Sequence, residues 1–495
     1  MLRQIILQYR ALYEEERKKS AKRSRHRART RYGPYGWIRI THVCTLWRAV
    51  ALETSRLWVD LHLTRLECVE AMLVRSKATP VTVNWHKGNL SLLQPVLREL
   101  NRVQSLEILF DEEIWQASND IYPATFPLPT KLHTLRVGGD VSFAFRENAR
   151  LGLSIPSIFG QGLRILSVKE RRKTQWPLQP FSLLTVLKNL PLLEELDLDV
   201  GLGSVNDLSM DSSLTVTLPH LRSLSMRCDS TACLYLLEHL IPTDEARIML
   251  DVQSALDPDF LPEAASIWQS KFPDSTSTAL GAILPLQTFR LYYENNRAYL
   301  RGWRDLLSLA ALNEAECQRQ VADLKVSCTS WEIAPVFDYC CDLPLADIQT
   351  LQILTDWEQL TGGEELDIAI YLWLDNLSRV HTLSVAASAM KTLSDVLKFK
   401  NLLPRLTTLE FHCECSKGGT TYKCIESEDL GNLAEGLKSR KDCHLGIKTI
   451  IIPTCINRSS WVLAVKLKKM KPFVDEWRWQ MCDDDTTAVV AYYTR

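Results

Sequence analysis

Leu193-Glu194-Glu195-Leu196-Asp197-Leu198 is the stretch that decides the fold. Leu196 and Leu198 are two apart, so an extended backbone points both to one side. Leu193, three residues earlier, enters that side from the preceding turn. The same spacing recurs at Val103/Leu106/Ile108, Leu132/Leu135/Val137, Leu163/Leu166/Val168 and Leu221/Leu224/Met226. It continues at Leu286/Phe289/Leu291, Val321/Leu324/Val326, Ile348/Leu351/Ile353, Val380/Leu383/Val385, Leu406/Leu409/Phe411 and Ile447/Ile450/Ile452. From Leu106 to Leu224 the middle residues step by 29, 31, 30 and 28.

Between these segments lie apolar stretches with helical spacing, such as Leu183/Leu184/Leu187/Leu190 and Leu234/Leu236/Leu237/Leu240. Pro129, Gly138, Pro191, Pro219 and Pro404 punctuate the joins. Each unit reads as strand, turn, helix, turn. One unit cannot bury both its apolar faces alone, and stacked neighbours do. The pattern therefore predicts an α/β leucine-rich-repeat solenoid of parallel strands alternating with helices over residues 79–460. Ile248 to Val252 fills the 65-residue gap between Leu224 and Phe289, and Thr79 to Asn84 reads as the opening strand. A doubly wound parallel sheet also alternates strand and helix, but about a dozen strands at a near-constant step is too many for an open sheet. No Gly-rich phosphate loop follows any strand. Residues 461–495, with Trp461, Trp477, Trp479 and the acidic run Asp483 to Asp485, break the pattern and read as a cap.

The first 78 residues lack the repeat. Trp37, Ile40, Val43, Cys44, Trp47, Val50 and Ala51 fall on one helical face at steps of three and four. Leu2, Ile5, Ile6 and Tyr9 form a shorter stripe of the same kind, and Thr64 to Ser76 reads as a further helix. A small all-α module over 1–60 with a linker helix in 61–78 results. The stretch Trp37 to Ala51, followed by Ser55-Arg56-Leu57-Trp58, closely resembles the second half of an F-box. It looks most like the F-boxes of fungal F-box/leucine-rich-repeat proteins. In that family Val-x-x-x-Trp lies on a helix and a Leu-Trp pair follows. Here those positions are Val43 with Trp47, and Leu57 with Trp58.

The resemblance implies a substrate-recognition subunit of an SCF-type cullin–RING ubiquitin ligase. The F-box would hold the Skp-type adaptor of the cullin complex, and the repeats would hold a target protein. It implies no catalytic residue and no cofactor. Adaptor-binding or F-box-core positions carried over are Leu2, Ile5, Ile6, Trp37, Ile38, Ile40, Val43, Cys44, Trp47, Leu57 and Trp58. The sequence does not separate contacts from the module's own core. The chain departs from the family twice. The family's Leu-Pro and acidic lead does not precede the first helix, and residues 11–35 stand where the family has a short link. A leucine-rich-repeat scaffold with a degenerate F-box, independent of ubiquitin, is the alternative.

Hydrophobic residues make up 46% of the 495 and charged residues 24%, as in an ordinary folded chain. The net charge of −1 gives no long-range pull toward nucleic acid or anionic lipid. None of the fourteen cysteines sits in a Cys-x-x-Cys pair, no apolar run follows Met1 to Arg10, and no 18-residue apolar window exists. Reduced thiols in a cytoplasmic or nuclear protein are the expectation, with no membrane or nucleic-acid partner. His412, Cys413, Cys415 and Cys424 are dense, but their spacing matches no common zinc pattern. No Walker-type loop, nucleophile elbow or His-Glu-x-x-His motif is present, so no enzyme is expected.

One local asymmetry remains. Lys18 to Arg31 holds eight Lys or Arg and no acid, leaving −9 on the rest of the chain. It lacks the aromatics of single-strand binding, and it reads as a solvated insert rather than an import signal. Replacing its Lys and Arg by Ser then leaves cellular localisation unchanged by microscopy. A shift from nucleus to cytoplasm contradicts that reading.

Overall fold

The structure is a computed structural model describing residues 1–23, 33–85, 90–110, 129–139, 162–170, 180–201, 214–243, 245–255, 263, 266–267, 286–294, 297–315, 321–329, 336–337, 340–341, 343, 345–354, 364–399, 402–412, 427–453, 468 and 470–480. Arg25 to Arg31, Cys413, Cys415, Cys424, Trp461 and Asp483 to Asp485 lie outside them. The chain is α/β, with mostly parallel strands and intervening helices, and divides into Met1–Leu221 and Arg222–Arg495.

The first unit opens with helix α1 (Leu2–Arg23), a 3-10 helix (Gly36–His42), α2 (Thr45–Glu53) and a 3-10 helix (Ser55–Trp58). Then come β1 (Asp60–His62), α3 (Leu66–Ser76), β2 (Val81–Trp85), β3 (Val103–Phe110), β4 (Thr134–Gly139), β5 (Ile165–Glu170) and β6 (Glu195–Asp199). A two-residue strand β7 (Val216–Thr217) follows. β1 to β6 pair in parallel, each with the next. The register places Val83, Leu106, Leu135, Leu166 and Leu196 in one row. All five are at most 2% exposed. Leu132, Leu163 and Leu193 form a third buried layer from the turns, as their spacing predicts. Backbone bonds continue through those turns, His133 N to Gln104 O at 2.9 Å and Arg164 N to His133 O at 2.8 Å.

The strand order starts one strand earlier than the repeat pattern predicts. β1 lies in the stretch read as module and linker, and only its Leu61 is buried. A single inward residue carries no period, so the pattern could not reveal it. α1 also runs on through Lys18 to Arg23, so the start of the basic insert is helical, with Lys18 and Lys19 exposed.

The second unit holds β8 (Ser223–Cys228), β9 (Leu240–Ile241), β10 (Arg247–Ala255), β11 (Thr288–Glu294), β12 (Arg297–Trp303), β13 (Leu324–Thr329), β14 (Thr350–Leu354), β15 (Thr382–Ala386), β16 (Thr408–His412), β17 (Ile447–Pro453) and β18 (Val474–Gln480). Its main order is β8-β10-β13-β12-β11-β14-β15-β16-β17-β18. Phe289, Leu351, Leu383, Leu409 and Ile450 are in register and fully buried.

Two features differ from the expected steady progression. β12 is antiparallel to both neighbours, and β13, not β11, lies beside β10. The chain skips two places after β10, lays down β11, returns along β12 and fills the gap with β13. β12 was invisible in the sequence because its inward residues are Ala298, Leu300 and Gly302, a weak apolar signal. Gly302 leaves room for Leu286, whose Cδ1 would lie 2.6 Å from an added Cβ. The second feature is β18, which pairs in parallel with β17 inside the stretch read as a cap. At β13, Val321 is 58% exposed and Ala322 takes the inward place from the turn.

Helix Ser427–Asp442 approaches helix Met390–Val396 closely at Gly436, where a Cβ would meet Ser394 O at 2.8 Å. Four residues on, buried Arg440 donates from Nη1 to Leu402 O at 2.6 Å and from Nη2 to Leu403 O at 2.9 Å. Its Nε donates to Leu445 O at 3.2 Å. Burial pushes the guanidinium down to about 10, still charged at neutral pH. Arg440→Met strips three carbonyls of a charged donor and should cost about 2–4 kcal/mol by urea unfolding. An unchanged midpoint contradicts this role.

Candidate functional site

The N-terminal module is built around two tryptophans. Trp37 and Trp58 are each 1% exposed, with ring centroids 5.2 Å apart. Trp58 Nε1 donates to Ala51 O at 2.9 Å, which ties the second 3-10 helix to α2. Thr54 Oγ1 donates to Val50 O at 2.7 Å where α2 ends. Ile6 and Arg10, one turn apart on α1, face inward at 0% and 7% exposure. The Arg10 guanidinium lies 5.2 Å from the Trp37 ring centroid, donates to Arg56 O at 2.7 Å and pairs with Asp60. α1 is thus clamped to the start of β1.

A second tie comes from Tyr35. Its hydroxyl donates to His62 O at 2.6 Å and accepts from His62 N at 2.7 Å. Burial, and then Cys68 beside it, raise the Tyr35 hydroxyl above its ordinary range, so it stays protonated. These ties join the helical module directly to the first strand of the sheet.

The eleven sequence-derived positions divide by burial. Ile6, Trp37, Ile40, Leu57 and Trp58 are buried core of the module. Leu2, Ile38 and Trp47 are half-buried. Ile5, Val43 and Cys44 are exposed. The expected single helical face from Trp37 to Ala51 does not form. The 3-10 helix ends at His42, Cys44 is extended at φ −161° and ψ 173°, and α2 starts at Thr45. That break takes Val43 out of line with Ile40 and leaves it 61% exposed.

Met1, Tyr9, Leu12 and Leu46 were not among the eleven, and all are exposed. Ile5, Tyr9 and Leu12 follow steps of four and three, so they share one face of α1 beside the buried Ile6, and Met1 directly precedes the helix. That spacing was the signal available in the sequence. Among the described residues, six of fourteen exposed large apolar side chains belong to residues 1–46. α1 packs on α2 and on the first 3-10 helix, so both exposed sets sit on one module. Both sets are solvent-facing apolar side chains outside the module's own core.

A separate groove of about 990 Å³ lies beside α1, lined among others by Arg10, Glu14, Arg17, His62, Asn84 and Glu107. Its lining mixes charged side chains of both signs with apolar ones, Leu7, Val59 and Pro80 among them. Among the described residues no three His, Cys, Asp or Glu side chains are grouped to hold a metal, and no helix is long and apolar enough to cross a membrane. No protein-family profile matches the chain, and no curated protein matches it.

Core and surface roles separate in a stability measurement. Val43→Asp with Leu46→Asp should change the unfolding free energy by no more than about 0.5 kcal/mol per site. Trp58→Ala should cost about 3–5 kcal/mol. Equal losses for the two variants contradict the assignment.

Proposed function

We propose that this protein is the substrate-recognition subunit of an SCF-type cullin–RING ubiquitin ligase. Its N-terminal module is an F-box that docks the Skp-type adaptor. Its strand–helix units are a leucine-rich-repeat solenoid that captures a target protein. The observation that carries the reading is the module's division into a Trp37/Trp58 core and an exposed apolar set, Met1, Ile5, Tyr9, Leu12, Val43 and Leu46. A free-standing helical module has no reason to expose that set, and an adaptor-docking module does.

The mechanism is proximity. The chain raises the target's effective concentration near the charged ubiquitin-conjugating enzyme and needs no catalytic group of its own. The clamp of Arg10 and Tyr35 onto β1 supports this, because a rigid joint between module and sheet fixes where a bound target sits. The cytoplasm or nucleus, where such ligases act, is the corresponding location.

One observation favours the second reading, a leucine-rich-repeat scaffold independent of ubiquitin. α1 continues to Arg23, where the F-box family has a short link. Capture of the purified Skp-type adaptor by the full chain separates the two. The ligase reading predicts capture by the wild type and at least a tenfold loss with Val43→Asp/Leu46→Asp, in a variant that unfolds at the wild-type midpoint. Absence of capture by folded wild-type chain contradicts it and leaves the scaffold.

A further inference from the structure

The groove beside α1 lies wholly within the first unit and has two walls. One wall is α1, where Leu7, Ala11, Glu14 and Lys18 follow steps of four, three and four and so share a face. The other is the side of β1 to β3 turned away from the buried row. There the register sets Asp60 beside Thr82, and His62 beside Asn84, which stands beside Glu107. Leu7 to Lys18 spans about 17 Å at the rise of an α-helix. An extended chain covers that length in about five residues. The exposed stripe of Ile5, Tyr9 and Leu12 lies roughly half a turn round α1 from this wall. A partner in the groove and a partner on the stripe therefore do not compete for the same face of α1.

Several charges in the groove are already paired. Arg10 pairs with Asp60, Arg17 with Glu14 at 2.8 Å, and Glu15 with Lys19 at 2.8 Å. Two cations are left over. Arg56 and Lys18 are exposed, and among the described residues neither has a carboxylate partner. Free hydrogen-bonding groups face them. Thr82 and Asn84 are half-buried and Gln104 is exposed, and among the described residues their side chains have no hydrogen-bond partner. Lys18 also opens the run to Arg31 that holds eight Lys or Arg and no acid, so an approaching anionic chain is drawn to this end of the groove.

These groups describe an occupant. The carboxamide of Asn84 or Gln104 offers two donors and an acceptor, the complement of a peptide group's C=O and N–H. Arg56 and Lys18 match carboxylates, and the planar fork of Arg56 can hold both oxygens of one. A nucleic acid fits less well. Its backbone carries a charge at every nucleotide and would set phosphates against Glu14, Asp60 and Glu107.

We propose that this groove docks an extended acidic segment of the target protein, its carboxylates on Arg56 and Lys18 and its backbone on Asn84 and Gln104. The proposal rests on the target-capture reading and names the kind of segment captured. It places target and adaptor on opposite sides of one helix.

Fluorescence anisotropy of the full chain at low ionic strength tests this. The probes are a labelled peptide of Glu, Asp, Leu and Ser, the same peptide with Lys and Arg for its acids, and oligo-dT of equal length. The acidic peptide should bind and the basic one should not. Arg56→Glu with Lys18→Glu places like charges against the peptide and should weaken binding at least about tenfold. Asn84→Ala should weaken it separately, which attraction to the basic run alone would not produce. Both variants should unfold at the wild-type midpoint and still capture the adaptor, because neither touches the apolar stripe. Acidic-peptide binding without adaptor capture supports the groove and removes the ligase reading instead. No binding of the acidic peptide, unchanged affinity in the two folded variants, or tighter binding of oligo-dT overturns the proposal.

Discussion

A strand with two inward apolar side chains leaves them half-covered until a parallel neighbour arrives in register. Everything else in this structure depends on that cover. Leu106 on β3 is buried because Val83 and Leu135 flank it in the same row. Phe289 on β11 is buried against Leu351 on one side and faces Gly302 of β12 on the other. A slip of one residue in any strand would turn its apolar set to the opposite face. Register is therefore fixed by burial of the apolar face. The opposite face carries polar rows, Thr288, Thr350, Thr382, Thr408 and Thr449 in one and Arg290, Arg301 and Lys325 in the next, with Thr288, Thr350 and Arg290 themselves buried.

The parts of the fold readable in the sequence are those where burial leaves a period. Leu132, Leu135 and Val137 announce β4 because all three are inward and large. Strands whose inward residues are few or small leave no such trace. β1 has Leu61 alone, and β12 has Ala298 and Gly302 on either side of Leu300. β18 places charged and aromatic residues between its few apolar ones. The strand order of the second unit was equally hidden. Periodicity shows which residues face inward on a strand, and it holds no information about which strand lies beside which.

The N-terminal module shows the same limit at a surface. Its aromatic and aliphatic positions were legible, since Trp37, Trp47, Leu57 and Trp58 stand out in composition and spacing. Their division into core and exterior was not. That division follows from the break at Cys44, which restarts the helical phase between Ile40 and Trp47. It follows also from Arg10, a charged residue on the inward face of α1, buried because Asp60, Arg56 O and the Trp37 ring all receive its guanidinium. No apolar count would have placed an arginine there.

The central claim, that the apolar set of the N-terminal module docks the Skp-type adaptor, is tested most directly by hydrogen–deuterium exchange on the full chain with and without adaptor. The account predicts slowed exchange in peptides covering residues 1–12 and 42–50, with β14 to β17 unchanged. Protection confined to the strands, or no change in the N-terminal peptides at saturating adaptor, would contradict it.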